Sequence, residues 1–415
     1  AVRLRILRAD VPVGSYLSGG LDSSLVSALG RRVKGDRFQT FSIRFDDVDY
    51  DETEYQRAVV RAIGSDHHEV VVRRADIARV FPDVVFHAER PLLRTAPAPL
   101  YLLSKLVRDV GIKVVLTGEG ADEVFGGYDL FREAKVRRFW GAQPGSKLRP
   151  RLLERLYPWL SRSPVAQRAF SQEFFGRGRE LPAAPGFGHQ TRWQSGAALA
   201  RLLSPGLRPA VEGARVVEGL LATLPATFPG WTPLAQDQYL EVRTLLSGYL
   251  LASQGDRMLM AHSVEGRFPF LDPDVVELAN SLPSRLKLRV LDEKWVLKRA
   301  AEGLVPPEVL RRKKQPYRAP DALSFVGPGT PEWAVEVVER GAVAQAGVFD
   351  PVAVDRLWRK CQSARGAGHF SNADNMSLVA VLSTGLLHEQ FIRRTPRRDG
   401  IPECRTIVDR AGFPG

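Results

Sequence analysis

Residues 1–130 alternate between short apolar runs and amphipathic segments of helical length, and this alternation constrains the fold more than any other feature of the chain. Strands separated by helices run in one direction, because each crossover returns the chain to the same edge. The pattern therefore predicts an α/β fold with a parallel sheet sandwiched by helices. The predicted strands are Val11–Leu17, Phe38–Phe45, His68–Val72 and Ile112–Thr117, and the predicted helices are Ser23–Leu29, Glu52–Ile63, Ile77–His87 and Leu100–Val110. Three of these helices are followed by a glycine that we expect to cap them, namely Gly30, Gly64 and Gly111.

The rest of the chain lacks this alternation. Residues 135–234 are basic and irregular and predict a helical excursion or lid, whereas helical periodicity returns in residues 235–330. We therefore expect four parts: an α/β core in residues 1–134, the excursion in 135–234, a helical part in 235–330 that completes the site, and 331–415, a helical segment with a weakly ordered tail.

Composition narrows the class of protein. A chain of 415 residues with 44% hydrophobic and 26% charged residues is ordinary for a globular protein. No apolar run has the length of a membrane span, and no signal peptide opens the chain. Its two cysteines, Cys361 and Cys404, offer no disulfide framework or metal-ligand spacing. We therefore expect a cytoplasmic protein that does not bind a membrane.

The net charge of +12 raises the question of an acidic partner. Most of the arginines are spread along the chain, and the one dense cluster is the sequence LRRKKQPYR at 310–318. No aromatic and basic RNA-binding signature accompanies it. A basic surface that faces solvent or a bound phosphate is therefore favoured over direct nucleic-acid binding.

The sequence YLSGGLDSSLVSALG at residues 16–30 places two glycines and three small hydroxyl residues within Ser18–Ser24, where a predicted strand ends and a predicted helix begins. Glycine lets the backbone approach an oxygen closely, and the first N–H groups of a helix have no intrahelical partner. Such a turn binds phosphate, although a simple tight turn capped by Asp22 is the alternative. The stretch is neither a Walker loop nor a dinucleotide fingerprint.

A second loop, TGEGADEVFGGY at residues 117–128, follows the fourth predicted strand. Its carboxylates Glu119, Asp122 and Glu123 repel one another unless a cation offsets them. An acidic turn in solvent is the alternative interpretation. In an open parallel sheet both loops lie at the carboxyl edge, where ligands bind, so the two loops predict one site for a magnesium-bound nucleotide.

The loop Ser-Gly-Gly-Leu-Asp-Ser-Ser resembles the pyrophosphate (PP) loop of the ATP pyrophosphatase superfamily. The chain as a whole resembles the synthetase domain of the B-type, glutamine-hydrolysing asparagine synthetase family. Six segments carry this resemblance in family order over most of residues 5–320. They are VPVGSYLSGGLDSSLVSAL, TFSIRF, DETEYQRAVVRAIGSDHHEV, APLYLLSKLVRDVGIKVVLTGEGADEVFGGY, DRMLMAHSVEGRFPFLD and EKWVLKRAAEGLVPPEVLRRKKQ.

The resemblance implies an ATP-dependent ligase that converts L-aspartate to L-asparagine through a β-aspartyl-AMP intermediate, with ammonia as nucleophile and AMP and pyrophosphate as products. Asp22 and Asp122 match the aspartates that hold Mg²⁺, Glu119 matches the glutamate tied to the adenylate, and Lys294 matches the lysine that stabilises phosphate charge. Asp122 counts with Glu119 and Lys294 as a catalytic residue. The implied ATP-binding residues are Leu17, Ser18, Gly19, Gly20, Leu21, Asp22, Ser23, Ser24, Ile43, Thr117 and Gly118.

The chain departs from the family in two respects. The family's substrate segment reads Arg-Ala-Ser-Thr-Pro, whereas Arg94 and Thr95 stand here in LLRTAPAPLYLLS, which puts the amino-acid substrate in question. Nothing in the chain matches the family's N-terminal glutaminase domain. We therefore expect either a fragment whose glutaminase domain lies in the same longer chain, or an enzyme that takes ammonia from solution or a partner. The sequence leaves a homodimer open.

Three other functions stay open at this point. A related adenylating enzyme of secondary metabolism, such as a β-lactam synthetase or a lasso-peptide cyclase, would use another amine, although Glu119 stands where the β-lactam branch has tyrosine. A tRNA-modifying PP-loop enzyme is favoured only by the basic charge. A catalytically silent interaction protein is disfavoured by the intact Ser18–Ser24 loop.

Overall fold

A five-stranded parallel sheet forms the centre of the protein, which confirms the predicted fold class. The computed structural model describes residues 1–35, 38–47, 49–156, 168–213, 215–315, 317–363 and 370–394. The strand order is β3-β2-β1-β4-β5. The strands are β1 (Val13–Tyr16), β2 (Gln39–Phe45), β3 (Asp66–Val72), β4 (Val114–Leu116) and β5 (Glu265–Arg267).

All four predicted strands are present, and the helices between them are α2 (Leu21–Lys34), α3 (Thr53–Ile63), α4 (Arg74–Ala88) and α5 (Pro97–Asp109), after a first helix α1 (Val2–Leu7). Gly64 and Gly111 have the positive φ angles expected at helix ends, 61° and 88°. The prediction for Gly30 is wrong, because α2 continues to Lys34 and ends at Gly35. Gly30 serves packing instead: a Cβ there would lie 2.5 Å from Cζ of the buried Phe38 ring.

Helices cover both faces of the sheet because alternate strand residues point to opposite sides. Phe41 and Val115 face a core that α4 and α5 share with the C-terminal helices. Val13 and Leu116 face a second core formed with α1, α2, α3 and later segments. The C-terminal helices therefore pack on the face of the sheet that α4 and α5 cover. For example, Ser383 Oγ accepts a 2.9 Å hydrogen bond from the backbone N–H of Leu92.

The remaining helices continue in chain order. They are α6 (Ala121–Phe125), α7 (Asp129–Gly141), α8 (Arg168–Gly176), α9 (Gln190–Ala197), α10 (Arg208–Gly213), α11 (Val216–Ala222), α12 (Pro233–Glu241), α13 (Arg257–Met260), α14 (Pro273–Ser281), α15 (Ser284–Lys287), α16 (Trp295–Ala300), α17 (Pro307–Arg311), α18 (Glu332–Val338), α19 (Arg340–Ala346), α20 (Pro351–Ser363) and α21 (Asn372–Leu387). Two π-helical segments, Val242–Asp256 and His388–Arg393, extend α12 and α21. Short 3₁₀ turns are Arg149–Arg155, Phe187–His189, Ala198–Leu202, Phe228–Gly230, Pro269–Leu271 and Ala322–Ser324.

The described part of the 135–234 region contains several short helices, and the buried side chain of Arg137 links its segments. This guanidinium is fully buried and donates to the carbonyl oxygens of Phe175, Phe187 and Arg177 at 2.9–3.1 Å. Its Cζ atom also lies 4.4 Å from the centre of the Phe187 ring. Buried carbonyls of an irregular segment are thus satisfied by one side chain of α7. Residues 395–415, which include Cys404 and the predicted weakly ordered tail, lie outside the described residues.

Candidate phosphate-binding active site

The loop Leu17–Gly20 joins β1 to α2 and is held in shape by its own hydroxyl groups. The backbone N–H of Ser18 donates to Ser23 Oγ at 3.1 Å, and the Ser18 and Ser23 hydroxyls lie 2.9 Å apart. Gly19 has a φ of 74°, and a Cβ there would lie 2.9 Å from the backbone nitrogen of Gln56. Helix α2 begins without a side-chain cap, so its first N–H groups face the loop and suit an anion.

The acidic loop lies directly against this loop. Gly118 follows β4, and a Cβ there would lie 3.0 Å from both Asp22 Cβ and the backbone nitrogen of Ser23. Gly127 is equally constrained, since its Cβ would lie 2.1 Å from Asp122 Oδ1 and from Lys294 Cε. Glycines at these positions let three distant segments of the chain meet.

Lys294 joins the two aspartates that the sequence analysis assigned to magnesium. Its Nζ atom lies 2.5 Å from Asp22 Oδ2 and 2.6 Å from Asp122 Oδ1, and its side chain is only 3% exposed. The lysine precedes α16 with a positive φ of 51°, a conformation that a non-glycine residue seldom adopts. The alternative that Asp22 merely caps α2 is not supported, because its carboxylate contacts this lysine rather than the helix end.

Lys314 is a second cation at the same aspartates, and no motif in the sequence distinguishes it from its basic neighbours. Its Nζ atom lies 2.7 Å from Asp122 Oδ2 and 3.9 Å from Asp22 Oδ2. Burial acts to lower the pKa of Lys314, but the two carboxylates outweigh it and hold that pKa well above its usual range. For Asp122 burial acts to raise the pKa, and the ammonium groups of Lys294 and Lys314 lower it on balance. Asp122 and Lys314 are therefore both charged at neutral pH.

The sequence indicates Lys314 only as part of the basic cluster at 310–318. In the structure this cluster reaches the phosphate loop. Arg312 of the same cluster forms an ion pair with Glu52 and donates to the carbonyl oxygen of Gly19 at 3.3 Å. Its guanidinium also lies 4.2 Å from the centre of the Tyr55 ring. The cluster therefore turns part of its charge toward the predicted phosphate site, whereas Lys313 is exposed.

The three carboxylates of the acidic loop do not share one cation. Asp122 contacts the two lysines, whereas Glu123 Oε1 accepts a 2.8 Å hydrogen bond from the Tyr128 hydroxyl. Burial, and secondarily the charge of Asp122, raise the pKa of Glu123 to about 7. Burial also raises the pKa of Glu119, which keeps accessible surface at the carboxyl end of β4. The loop thus presents one ionised carboxylate and two that bind a proton more tightly than usual.

The remaining predicted nucleotide residues lie along the same edge of the sheet. Leu17 and Thr117 directly follow β1 and β4, and both are almost fully buried. Ile43 lies near the carboxyl end of the neighbouring β2, where its carbonyl oxygen accepts a 2.9 Å hydrogen bond from Gln56 Nε2. Leu21, Asp22, Ser23 and Ser24 form the first turn of α2. The structure thus brings the predicted residues of β1, β2 and β4 to one edge.

Tyr16 and Tyr317 lie close enough to Glu119 for its charge to act on them, and Tyr249 lies near Asp321. Tyr16, Tyr249 and Tyr317 all have raised pKa values because of burial, and neighbouring charges, among them Glu119 for Tyr16 and Tyr317, raise them further. The buried hydroxyls of Tyr16 and Tyr249 have no hydrogen-bond partner, whereas that of Tyr317 donates to the carbonyl oxygen of Ala96 at 3.4 Å. These phenols are neutral donors beside a carboxylate.

Arg94 and Thr95, in the segment that the family uses for its substrate, are engaged within the protein. Arg94 Nη1 lies 2.9 Å from Asp321 Oδ2, and its Nη2 donates to Asn372. The hydroxyl of Thr95 donates to Asp321 Oδ1 at 2.9 Å, and Thr95 is fully buried. In this structure the two residues hold the 320–322 turn.

The residues present fit a magnesium ion that arrives with a nucleotide. Within the described ranges no cluster of three or more histidine, cysteine or acidic residues forms an all-protein metal site. Magnesium, however, is usually bound by one or two carboxylates together with substrate phosphates. Asp22 and Asp122 supply two such carboxylates, and Asp22 Oδ1 is buried without a hydrogen-bond partner.

A parallel sheet with a glycine-serine loop and an acidic loop at its carboxyl edge defines an α/β nucleotide-binding synthetase domain of the PP-loop class. The family model for asparagine synthase matches residues 1–388. The chain belongs to that family.

Two bacterial relatives support this assignment. A putative asparagine synthetase [glutamine-hydrolyzing] of Mycobacterium tuberculosis (strain H37Rv) is 35% identical over 352 residues, which are 85% of this chain and 51% of the relative. Asparagine synthetase [glutamine-hydrolyzing] 1 of Bacillus subtilis is 31% identical over 318 residues, 76% of this chain and 47% of the relative. The chain therefore spans about half the length of these curated relatives.

A more distant relative has a different name. Amidase chry2 of Gibberella zeae is 28% identical over 414 residues, 92% of this chain and 59% of the relative.

Among the described residues, no helix is both long and apolar enough to cross a membrane.

Proposed function

We propose that the chain is an ATP-dependent amide-forming ligase that adenylates the side-chain carboxylate of L-aspartate and lets ammonia displace AMP, so that asparagine and pyrophosphate are formed. The observation that carries the proposal is the meeting of Asp22, Asp122, Lys294 and Lys314 beside the serine-glycine loop. Family membership gives the class of ligase, and the roles of individual residues below are proposals.

The chain's own groups match the charge that this reaction develops. Attack of a carboxylate oxygen on the α-phosphorus forms the acyl phosphate bond and breaks the bond to the β-phosphate, so negative charge accumulates on the departing pyrophosphate. We assign Lys294 and Lys314 to that charge, because ammonium groups already held in place need little reorganisation. The N–H groups at the start of α2, with Ser18 and Ser23, would hold the phosphate oxygens.

Asp22 and Asp122 would hold Mg²⁺ in this scheme. Bound there, the ion would neutralise phosphate oxygens and orient the triphosphate. Since both aspartates now contact lysines, we expect the lysines to shift toward phosphate when a magnesium-bound nucleotide enters. Leu17, Ile43, Thr117 and Gly118 would contact the adenosine.

Glu119 is the group we assign to the acceptor. Its raised pKa and its place beside neutral phenols suit a carboxylate that accepts a hydrogen bond or a proton from an amine during amide formation. Ammonia would come from glutamine through a glutaminase domain, either in the same longer chain or in a partner.

The test is pyrophosphate release from magnesium-ATP and ammonium ion with L-aspartate, with other amino acids, and with no acceptor. Release that depends on aspartate, with AMP and asparagine as products, is the expected result. Release that does not depend on any carboxylate, or no release and no ATP binding, would exclude the proposal. Chelation of magnesium should abolish the reaction and its readdition restore it.

A second candidate keeps the adenylation and changes the acceptor. Two observations favour it: Arg94 and Thr95 are bound to Asp321, and the neutral phenols of Tyr16 and Tyr317 lie near Glu119. A carboxylic acid other than aspartate, as in secondary-metabolism members of the family, would suit neutral donors. ATP-dependent pyrophosphate release with another carboxylic acid, and none with aspartate, would select this candidate.

A further inference from the structure

A second cation-rich cavity lies beside the proposed phosphate site. It has a volume of about 370 Å³ and is lined by Arg132, Lys298 and the exposed Arg289, Arg311 and Lys313, together with Asp292 and Glu293. Five cations thus face two carboxylates around one surface opening. Such an excess of positive charge over carboxylates in a concave site concentrates anions.

Arg132 forms the buried floor of this cavity. Its side chain is only 3% exposed, it pairs with Asp129, and its Nη1 lies 3.9 Å from Glu293 Oε2. The Nε atom of Arg132, however, is buried without a hydrogen-bond partner. A buried guanidinium donor without an acceptor is costly, and the positive charge of Arg132 in the cavity wall favours an anion.

The rim of the cavity carries cations that are available to a ligand. Within the described ranges Arg289, Arg311 and Lys313 form no ion pair with a carboxylate, whereas Lys298 is neutralised by Asp292 at 2.6 Å and Glu293 at 3.3 Å. Arg289 is held over the Trp295 ring at 4.8 Å, which fixes its guanidinium near the opening. Three rim cations and the buried Arg132 therefore line the same cavity.

Two chain segments, 293–294 and 313–314, lie between this cavity and the proposed phosphate site. On each segment one residue lines the cavity and the next residue contacts the phosphate site. Glu293 and Lys313 line the cavity, whereas their neighbours Lys294 and Lys314 contact Asp22 and Asp122. Glu293 Oε1 also accepts a 3.1 Å hydrogen bond from the backbone N–H of Lys314. An anion released beside Lys294 and Lys314 would thus find further cations one residue away.

We propose that this cavity is a second oligophosphate site and that its occupant is the pyrophosphate on its way out of the phosphate site. The existence of the site rests on the lining residues alone, and only the identity of its occupant rests on the proposed function. A polar cavity of this size holds a hydrated pyrophosphate, and its guanidinium groups match phosphate oxygens in geometry.

The experiment measures binding of magnesium pyrophosphate by calorimetry to protein saturated with an ATP analogue that has a methylene group between the α- and β-phosphates. Pyrophosphate should still bind, and the double variant Arg289→Ala/Lys313→Ala should weaken that binding about tenfold. The same variant should keep its affinity for the analogue within about twofold. The matched control is Arg285→Ala/Lys113→Ala, which removes two exposed cations away from the cavity.

Two results would overturn the proposal: no pyrophosphate binding while the analogue is bound, or equal binding in the double variant and its control. Equal affinity for orthophosphate would overturn the assignment to pyrophosphate. If the analogue itself does not bind, the proposed function fails. Pyrophosphate titrated into the free protein then still tests whether Arg289 and Lys313 contribute to a binding site. The two failures are therefore distinguishable.

Discussion

The ammonium group of Lys294 lies 2.5 Å from Asp22 Oδ2, and this contact joins the start of α16 to the first turn of α2. The pair is buried, and the lysine adopts its left-handed conformation to make it. A buried ion pair of this kind is weak evidence for stability, because desolvation offsets the attraction. We infer that the pair exists for the chemistry of a phosphate that enters between the two groups.

The first prediction is that Lys294→Met lowers the rate of pyrophosphate release about 100- to 1,000-fold, because a fixed positive charge on the departing phosphate is lost. Binding of the methylene ATP analogue should weaken much less, since the remaining donors of the loop persist. Initial-rate measurements and calorimetry on the same preparation separate the two effects. Arg299→Met is the control, because this exposed arginine also lies on α16 but pairs with Glu302.

An equal loss of rate in Lys294→Met and Arg299→Met would show that α16 acts only as scaffold. An unchanged rate in Lys294→Met would remove the lysine from the mechanism.

The fold could be predicted from the sequence where the signal was local. The first four strands and their helices follow from apolar runs and periodicity, and all are found. Strand β5 could not be predicted in this way, because Glu265, Gly266 and Arg267 show no apolar alternation and are recruited by pairing with β4. The end of α2 was misplaced because Gly30 is needed for contact with Phe38 rather than for a turn.

Part of the site could also be predicted, because the sheet topology follows from the predicted strands. Asp22 and Asp122 follow predicted strands, and topology alone places them at one edge. Lys294 was assigned only through the family resemblance, and Lys314 was visible only as one charge in a basic cluster, because its contact with Asp122 depends on tertiary structure. The division into four parts, with 135–234 as a lid, stays a prediction.

The second prediction concerns pH and Glu123. Its pKa is raised to about 7 in the folded protein, so between about pH 4.5 and 7 the folded state binds a proton that the unfolded state releases. The free energy of unfolding should therefore fall as pH rises through this range, by as much as about 3 kcal/mol. Glu123→Gln should remove this fall while it keeps an acceptor for the Tyr128 hydroxyl.

Urea unfolding at a series of pH values checks this prediction. Glu277→Gln serves as the control, because Glu277 is an exposed carboxylate on α14. The prediction would be contradicted if wild type and Glu123→Gln differed in unfolding free energy by the same amount at every pH.

The third prediction is that Arg94 acts in structure rather than in recognition of the acid substrate. Arg94→Ala leaves Asp321, whose side chain is 11% exposed, without its ion pair, so the melting temperature should fall. The KM for the carboxylic acid should stay within about twofold of wild type. Arg94→Lys, which keeps a cation for Asp321, should recover part of the stability. A large rise in KM at an unchanged melting temperature would instead place Arg94 in the substrate pocket.

The fourth prediction is that Gln238 positions Asp122 through α6. Gln238 Nε2 donates to the carbonyl oxygens of Glu123 and Val124, the latter at 2.8 Å, and its Oε1 accepts a 2.9 Å hydrogen bond from Lys287 Nζ. The last carbonyls of a short helix have no intrahelical partner, so this buried amide holds the end of α6. Gln238→Leu should lower the free energy of unfolding by about 1–3 kcal/mol.

It should also raise the magnesium concentration needed for half-maximal pyrophosphate release, because Asp122 lies on the same five-residue helix. Gln236→Leu is the matched control: Gln236 also lies on α12 and donates to a backbone carbonyl, that of Phe228 at 3.0 Å, but it does not contact α6. Gln238→Glu separates the two contacts, since a carboxylate still accepts from Lys287 but cannot donate to the α6 carbonyls. A magnesium defect that persists in Gln238→Glu is the expected result, because the α6 carbonyls again lack a donor. Normal magnesium dependence in both Gln238 variants would reduce the residue to a packing role.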